Sequence, residues 1–203
     1  MLNLLQIPPS ELFALVAAVS FAAGLNLYAT VGFLGLLARF GHLPLPAGLQ
    51  LLESWPVIAA STALFAVEFF ADKIPAFDLI WNALHTFIRV PVAGLLAFQA
   101  TRQLSPEKQL LATLLGAAIA FAAHGGKTAA RAAVSPSPEP FSNISLSLAE
   151  DALAIGLTWL ATRHPYAAGT IAAIFVVATV ILVRWVLRAL KALFRGAEHE
   201  LIH

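Results

Sequence analysis

The chain has 203 residues, of which 60% are hydrophobic and only 11% are charged. Soluble domains average about 45–50% apolar and about 25% charged residues, so this composition excludes an ordinary soluble enzyme. Together with a mean hydropathy of +0.83, it predicts an all-α, polytopic membrane helix bundle. The lack of cysteine excludes disulfides and thiolate ligands, and the net charge of +1 gives no case for nucleic-acid binding.

Six apolar stretches bounded by proline, glycine or polar residues predict about six membrane spans, because one spanning helix takes about 20 residues. The first runs from Ser10 to about Phe40 and is interrupted at Gly24-Leu25-Asn26. The others cover about residues 55–72, 77–102, 106–134, 144–162 and 165–183. The Pro-rich segment 135–140 is a predicted linker, because repeated prolines cannot continue a helix.

The tail, residues 184–203, predicts the orientation of the bundle. Arg184, Arg188, Lys191 and Arg195 fall at helical spacing on one stripe. Positive charge collects on the cytoplasmic side of membrane proteins, so this tail is expected inside the cell. With six spans, the amino terminus is expected on the same side.

The two halves of the chain, 10–102 and 106–190, share a local pattern. Phe21-Ala22-Ala23-Gly24 and Phe121-Ala122-Ala123-His124 each precede a polar stretch that contains glycine. Gly125-Gly126 is expected to open the backbone of the fourth span, as Gly24 does in the first. Inverted three-helix repeats with broken helices are typical of transporters. The alternative is a chance recurrence of Phe-Ala-Ala in an alanine-rich chain.

Nine ionisable residues fall within or at the ends of the predicted spans. Each costs about 2.5–3.5 kcal/mol at a helix centre, so their presence requires an explanation. The acids are Glu68, Asp72, Asp78, Glu150 and Asp151, and the bases are Lys73, Arg89, Lys127 and Arg131. Ion pairs that lock the helices together are one explanation. Because the acids outnumber the bases by one, a proton or cation site is the other.

Helical spacing places these residues, together with uncharged polar residues, on polar faces of the helices, which we call polar seams. Asn82, His85 and Arg89 share one helix face, and His124, Lys127 and Arg131 share another. Ser147 lies on one face with Glu150 and Asp151. The two histidines are expected to be hydrogen-bond partners, since two isolated histidines do not make a metal site, and no metal ligands are assigned.

Three motifs together resemble a bacterial membrane family called domain of unknown function 4126, over about residues 15–190. They are Glu68-x-x-x-Asp72-Lys73-Ile74-Pro75-x-x-Asp78, Gly24-x-Asn26-x-Tyr28, and Ser135-Pro136 through Ser142-Asn143 to Glu150-Asp151. The resemblance implies a small multi-pass protein of the bacterial inner membrane and brings no activity.

The first motif, from Glu68 to Asp78, is also similar to the Glu-x-Gly-Asp-Lys-Ser/Thr motif of cation/proton exchangers with inverted repeats. It departs from that motif, because one extra residue separates the acids, no glycine precedes Asp72, and Ile74 replaces the hydroxyl residue.

These residues favour a small transporter or channel for an ion or small solute, coupled to protons or cations through its carboxylates. The expected binding residues are Glu68, Asp72, Asp78, Glu150, Asp151, Asn26, Lys127 and Arg131, with Lys73 and Arg89 as charge-pairing residues. The alternatives are a lipid-binding or lipid-translocating protein and a structural scaffold with paired buried charges. An enzyme is not expected, because no catalytic constellation is recognisable, and no cofactor is assigned. The expected partners are membrane lipids and, through small-residue helix faces, a second copy of the chain.

Overall fold

A computed structural model describes residues 7–41, 43, 45–134 and 140–201, with side chains except those of 75–79, 132–134, 140, 143, 190 and 193–201. The residues described contain seven α-helices and one 3₁₀ helix, and no strand. In chain order these are α1 (Pro9–Leu25), α2 (Leu27–Gly41), the 3₁₀ helix Ala47–Glu53, α3 (Trp55–Ala71), α4 (Pro75–Ala100), α5 (Pro106–Val134), α6 (Pro140–Arg163) and α7 (Pro165–Leu201).

Four of the described helices are long and apolar enough to cross a membrane. They are the segments Ile80–Ala100, Pro106–Arg131, Ile144–Arg163 and Pro165–Ala189. The 3₁₀ helix and α3 form a fifth candidate span, bent by 67°. The apolar helices α1 and α2 are shorter, at 17 and 15 residues. The chain is therefore a multi-pass helical membrane protein with four to five candidate spans, and the sixth span stays a prediction.

Proline sets several of the helix boundaries. Pro106 and Pro165 each stand at the start of a helix, where the missing amide hydrogen needs no partner. The predicted bounds 106–134 are confirmed. α6 begins at Pro140, four residues before the predicted start of the span at 144, and α7 continues past the predicted end at residue 183 to Leu201. No proline interrupts that basic extension, and arginine and lysine are good helix formers. Linker residues 135–139 lie outside the described part of the chain.

Helix α1 lies at the centre of the bundle and packs against α4, α5, α6 and α7. Its second half is buried from Val16 through Leu25 apart from one residue, and small side chains dominate there. A Cβ atom added at Gly24 would lie 2.5 Å from the backbone oxygen of Ala120, so α1 and α5 are in direct backbone contact. The close approach brings the carboxyl end of α1 against the polar face of α5.

We expect Gly24→Ala to lower the free energy of unfolding by about 1–3 kcal/mol, because the backbone of α5 must move to admit a methyl group. Gly156→Ala is the matched control, since a Cβ at Gly156 would meet nothing within 4 Å. The control should be neutral or stabilise by up to about 1 kcal/mol through helix propensity. Equilibrium unfolding in mixed micelles measures both variants, and equal effects would contradict the close contact.

The predicted opening at Gly125-Gly126 is wrong, because α5 runs without a break through both glycines. Gly126 has a packing role instead: a Cβ there would lie 2.6 Å from Cγ2 of Thr179 on α7. The interruption at Gly24-Leu25-Asn26 is confirmed, since α1 ends at Leu25 and α2 begins at Leu27. The helix therefore breaks in the first half of the chain and not at the corresponding place in the second.

Candidate functional site

Charged side chains from four helices meet in the interior beside the α1–α2 break. We call them the buried cluster: Glu68, Asp72, Arg89, Lys127, Arg131, Glu150 and Asp151. Each is at most 7% exposed, although all of them carry ionisable groups. Glu68 and Asp72 come from the end of α3, Arg89 from α4, two bases from α5 and two acids from α6. The faces predicted from helical spacing are thus turned toward one another.

Lys127 joins three of the acids. Its Nζ lies 2.9 Å from Oδ2 of Asp72, 3.4 Å from Oε2 of Glu150 and 3.5 Å from Oε1 of Glu68. It also donates to the backbone oxygen of Leu25, at 3.4 Å, where α1 ends. One ammonium group therefore holds α3 and α6 against the broken end of α1.

Arg131 contacts two of the same acids from one turn further along α5. Its Nη2 lies 3.0 Å from Oδ2 of Asp72 and 2.8 Å from Oε2 of Glu150. Its Nη1 donates to the backbone oxygen of Asp72, at 3.3 Å, which satisfies a carbonyl at the carboxyl end of α3. A cation at this helix end is also favoured by the helix dipole.

Arg89 makes the most enclosed pair of the cluster. Its guanidinium is paired with the carboxylate of Glu68, and both side chains are 0% exposed. Its Nη1 also donates to Oδ1 of Asn82, at 3.3 Å, and to Nδ1 of His124, at 3.0 Å. Because a guanidinium only donates, Nδ1 of His124 accepts, and the proton of this neutral imidazole lies on Nε2. That Nε2 donates to the Thr86 hydroxyl, at 2.7 Å.

The second histidine is bound in a similar way. Nδ1 of His85 lies 2.7 Å from the backbone oxygen of Trp81, which can only accept, so Nδ1 carries a proton. In the neutral ring, Nε2 then accepts from the Tyr28 hydroxyl, at 2.9 Å. The expectation that both histidines act as hydrogen-bond partners is confirmed. Their hydroxyl partners were not predicted, although Thr86 lies next to the seam of α4 and Tyr28 follows the helix break.

Asn26 occupies the break between α1 and α2 and is 0% exposed. Its backbone is extended, with φ −145° and ψ 104°. Its Oδ1 accepts from the amide of Ala29, at 2.9 Å, and so caps the start of α2. Its Nδ2 donates to Oδ1 of Asp151, also at 2.9 Å. The helix break thus binds Asp151 through a neutral amide.

Asp151 differs from the other acids of the buried cluster. None of the ion pairs that the structure describes includes it, and its Oδ2 has no hydrogen-bond partner among the described residues. The cluster therefore contains four acids and three bases, and Asp151 is the acid without a cation. The sequence predicts one carboxylate in excess, and the structure indicates which one it is within the described part of the cluster.

One predicted member of the site, Lys73, lies away from the ion pairs that the structure describes. Lys73, expected among the ion pairs, donates to the backbone oxygen of Phe69, at 2.7 Å, and its Nζ lies 3.1 Å from the centre of the Phe69 ring. A lysine near a span end extends toward the interface in this way, with its charge over an aromatic face. The side chain of Asp78 lies outside those that the structure describes.

We expect Asn26→Ala to lower the free energy of unfolding by about 1–3 kcal/mol, through loss of the α2 cap and of the donor to Asp151. Asn26→Asp tests the second contribution alone, since a carboxylate still caps a helix but supplies no amide donor to Asp151. It should also be less stable than the unmodified chain. Thermal unfolding in detergent measures both variants, and an Asn26→Asp variant as stable as the unmodified chain would contradict the role of the Asn26 amide in holding Asp151.

Among the described side chains, no three His, Asp or Glu residues are placed to hold a metal ion together. No curated protein and no solved structure matches this chain. A family model does match, over residues 13–185, a range that contains the helix break and the whole buried cluster. The chain belongs to this family, which is described as a domain of unknown function, DUF4126.

Proposed function

We propose that this protein is a small membrane transporter or channel for an ion or small solute, coupled to protons or cations through its buried carboxylates. The observation that carries the proposal is Asp151, a buried acid beside a helix break, which has an amide as its partner and no basic side chain paired with it among the described residues. Broken helices in the membrane interior form the ion and substrate sites of many transporters.

The charge balance of the buried cluster supports this function. A buried carboxylate without a cation is costly, so it takes up a proton or another positive charge. Lys127 already contacts three acids of the cluster. A proton or cation that arrives at Asp151 therefore changes the field around Lys127 and Arg131 and alters how firmly they hold α3 and α6. This provides a physical link between ion binding and helix movement.

In this proposal the protein has six crossings in the inner membrane of a bacterium. The short helices α1 and α2 form one interrupted crossing, and the 3₁₀ helix with α3 forms a second, bent one. The other four crossings are α4, α5, α6 and α7. The basic extension of α7 lies in the cytoplasm. The inverted repeat stays a prediction. The break between α1 and α2 has no counterpart in α5, which is continuous.

Flux measured in proteoliposomes tests the function directly. Vesicles that contain the purified protein should move protons or at least one member of a panel of monovalent ions and small solutes faster than empty vesicles. Flux no greater than that of empty vesicles across the panel would reject the proposal. Movement of a fluorescent lipid between leaflets without ion flux would support the lipid-translocating alternative instead.

A structural scaffold is the second candidate, and the ion pairs of Glu68, Asp72 and Glu150 favour it. Each of these acids contacts at least one base within the cluster. If every charge is structural, removal of any acid lowers stability and changes no flux. The two candidates thus differ most clearly at Asp151, which is in none of the ion pairs that the structure describes.

A further inference from the structure

Ser147 on α6 differs from the buried threonines of the bundle. Thr30, Thr101 and Thr158 each donate to the backbone oxygen four residues earlier, at 2.8, 2.7 and 2.7 Å. Ser147 is 0% exposed, but its Oγ has no hydrogen-bond partner among the residues that the structure describes. Leaving a buried hydroxyl without a partner costs free energy, so this position is expected to have a ligand.

The hydroxyl shares its helix face with two acids of the buried cluster. Glu150 and Asp151 follow Ser147 by three and four residues, which places all three side chains on one face of α6. Oε1 of Glu150 and Oδ2 of Asp151 also lack hydrogen-bond partners among the described residues. One turn of α6 thus presents three buried oxygen atoms, a hydroxyl and two carboxylate oxygens, with unused lone pairs.

We propose that Ser147 Oγ, Glu150 Oε1 and Asp151 Oδ2 bind one small monovalent cation of the Na⁺ or Li⁺ class; this rests on the proposed function and names its coupling ion. Hard cations prefer oxygen ligands of this kind. The described cluster has four acids and three bases, so one monovalent cation brings it to neutrality. A divalent cation leaves an excess positive charge in the interior, which is unfavourable.

Contacts on one oxygen of each acid leave its other oxygen available to the cation. Asn26 donates to Oδ1 of Asp151, at 2.9 Å, and so leaves Oδ2 directed elsewhere. Lys127 contacts Oε2 of Glu150, at 3.4 Å, and leaves Oε1. Each acid is thus held by one oxygen and keeps the other for the cation. The three ligands come from a single helix turn, so they are preorganised by the backbone.

Binding is tested on the purified 203-residue chain in detergent, at fixed pH and ionic strength. Sodium, lithium or potassium chloride replaces N-methyl-D-glucamine chloride, and the thermal midpoint of unfolding is followed by tryptophan fluorescence. We expect a saturable rise with sodium or lithium, because a ligand that binds only the folded state stabilises it. Ser147→Ala should weaken the apparent affinity about tenfold, and Asp151→Asn should abolish the response.

Ser61→Ala is the matched control, because the hydroxyl of this buried serine donates to the backbone oxygen of Val57, at 2.6 Å. It should keep the affinity of the unmodified chain. The proposal is overturned if neither sodium nor lithium gives a saturable rise, or if Ser147→Ala binds as tightly as the control. It is also overturned if, in a second series at varied pH, only acidification stabilises the protein, which indicates a proton site. Binding without flux would support the cation site and contradict the proposed transport. Flux without binding would support transport and contradict the cation site.

Discussion

Arg89→Met is expected to lower the free energy of unfolding by about 3–5 kcal/mol, the usual cost of leaving one buried charge without its partner. Arg89 and Glu68 are both 0% exposed and are paired with each other. Methionine fills much of the same volume but supplies no charge and no donor. The loss therefore falls on the Glu68 carboxylate, which among the described residues keeps only Lys127, at 3.5 Å, and on Nδ1 of His124. Equilibrium unfolding in mixed micelles measures the change.

Two further variants identify the cause of that loss. Arg163→Met replaces an exposed arginine at the end of α6 and should change stability by no more than about 0.5 kcal/mol. The double variant Arg89→Met with Glu68→Met should recover most of the loss, because well-packed apolar side chains replace a buried ion pair at little or no cost. A double variant as unstable as Arg89→Met alone would show that the unpaired carboxylate is not the reason.

The helices and the polar faces could be predicted because their signals are local in sequence. Proline and glycine mark the bounds of α5 and the break after Gly24, and helical spacing places His124, Lys127 and Arg131 on one face. Burial follows from membrane physics, since charges within apolar helices turn away from lipid. The polar seams therefore indicate, from the sequence alone, which face of each helix lies in the interior of the bundle.

The pairing of the charges could not be predicted, because it depends on how the helices pack in three dimensions. Lys73 follows Asp72 directly in sequence, yet it lies over Phe69, while Lys127 reaches Asp72 from another helix. Gly125-Gly126 could equally have opened the backbone, but Gly126 admits Thr179 of α7. For the same reason a count of charges predicts one surplus acid but cannot say which acid lacks a base.

Asp151→Asn is expected to reduce flux in proteoliposomes to the level of empty vesicles while leaving the free energy of unfolding unchanged or raised. The aspartate is buried and its only described hydrogen bond comes from the amide of Asn26, at 2.9 Å. Asparagine keeps the shape and an oxygen for that bond. It removes a charge that no base of the described cluster compensates, so the protein loses the group that takes up a proton or cation and also the cost of burying it.

Glu150→Gln provides the comparison in stability, since it neutralises the neighbouring acid on the same helix turn, an acid that does hold bases. Glu150 is paired with Arg131, at 2.8 Å, and with Lys127, at 3.4 Å. Both bases keep Asp72, so neutralisation of Glu150 should lower the free energy of unfolding by about 1–3 kcal/mol, the cost of weakening two buried hydrogen-bonded contacts. A scaffold predicts that both variants are destabilised and that neither affects flux. Asp151→Asn with normal flux would contradict a coupling role for this acid. Only loss of flux without loss of stability separates a titrating or cation-binding carboxylate from one that holds the bundle together.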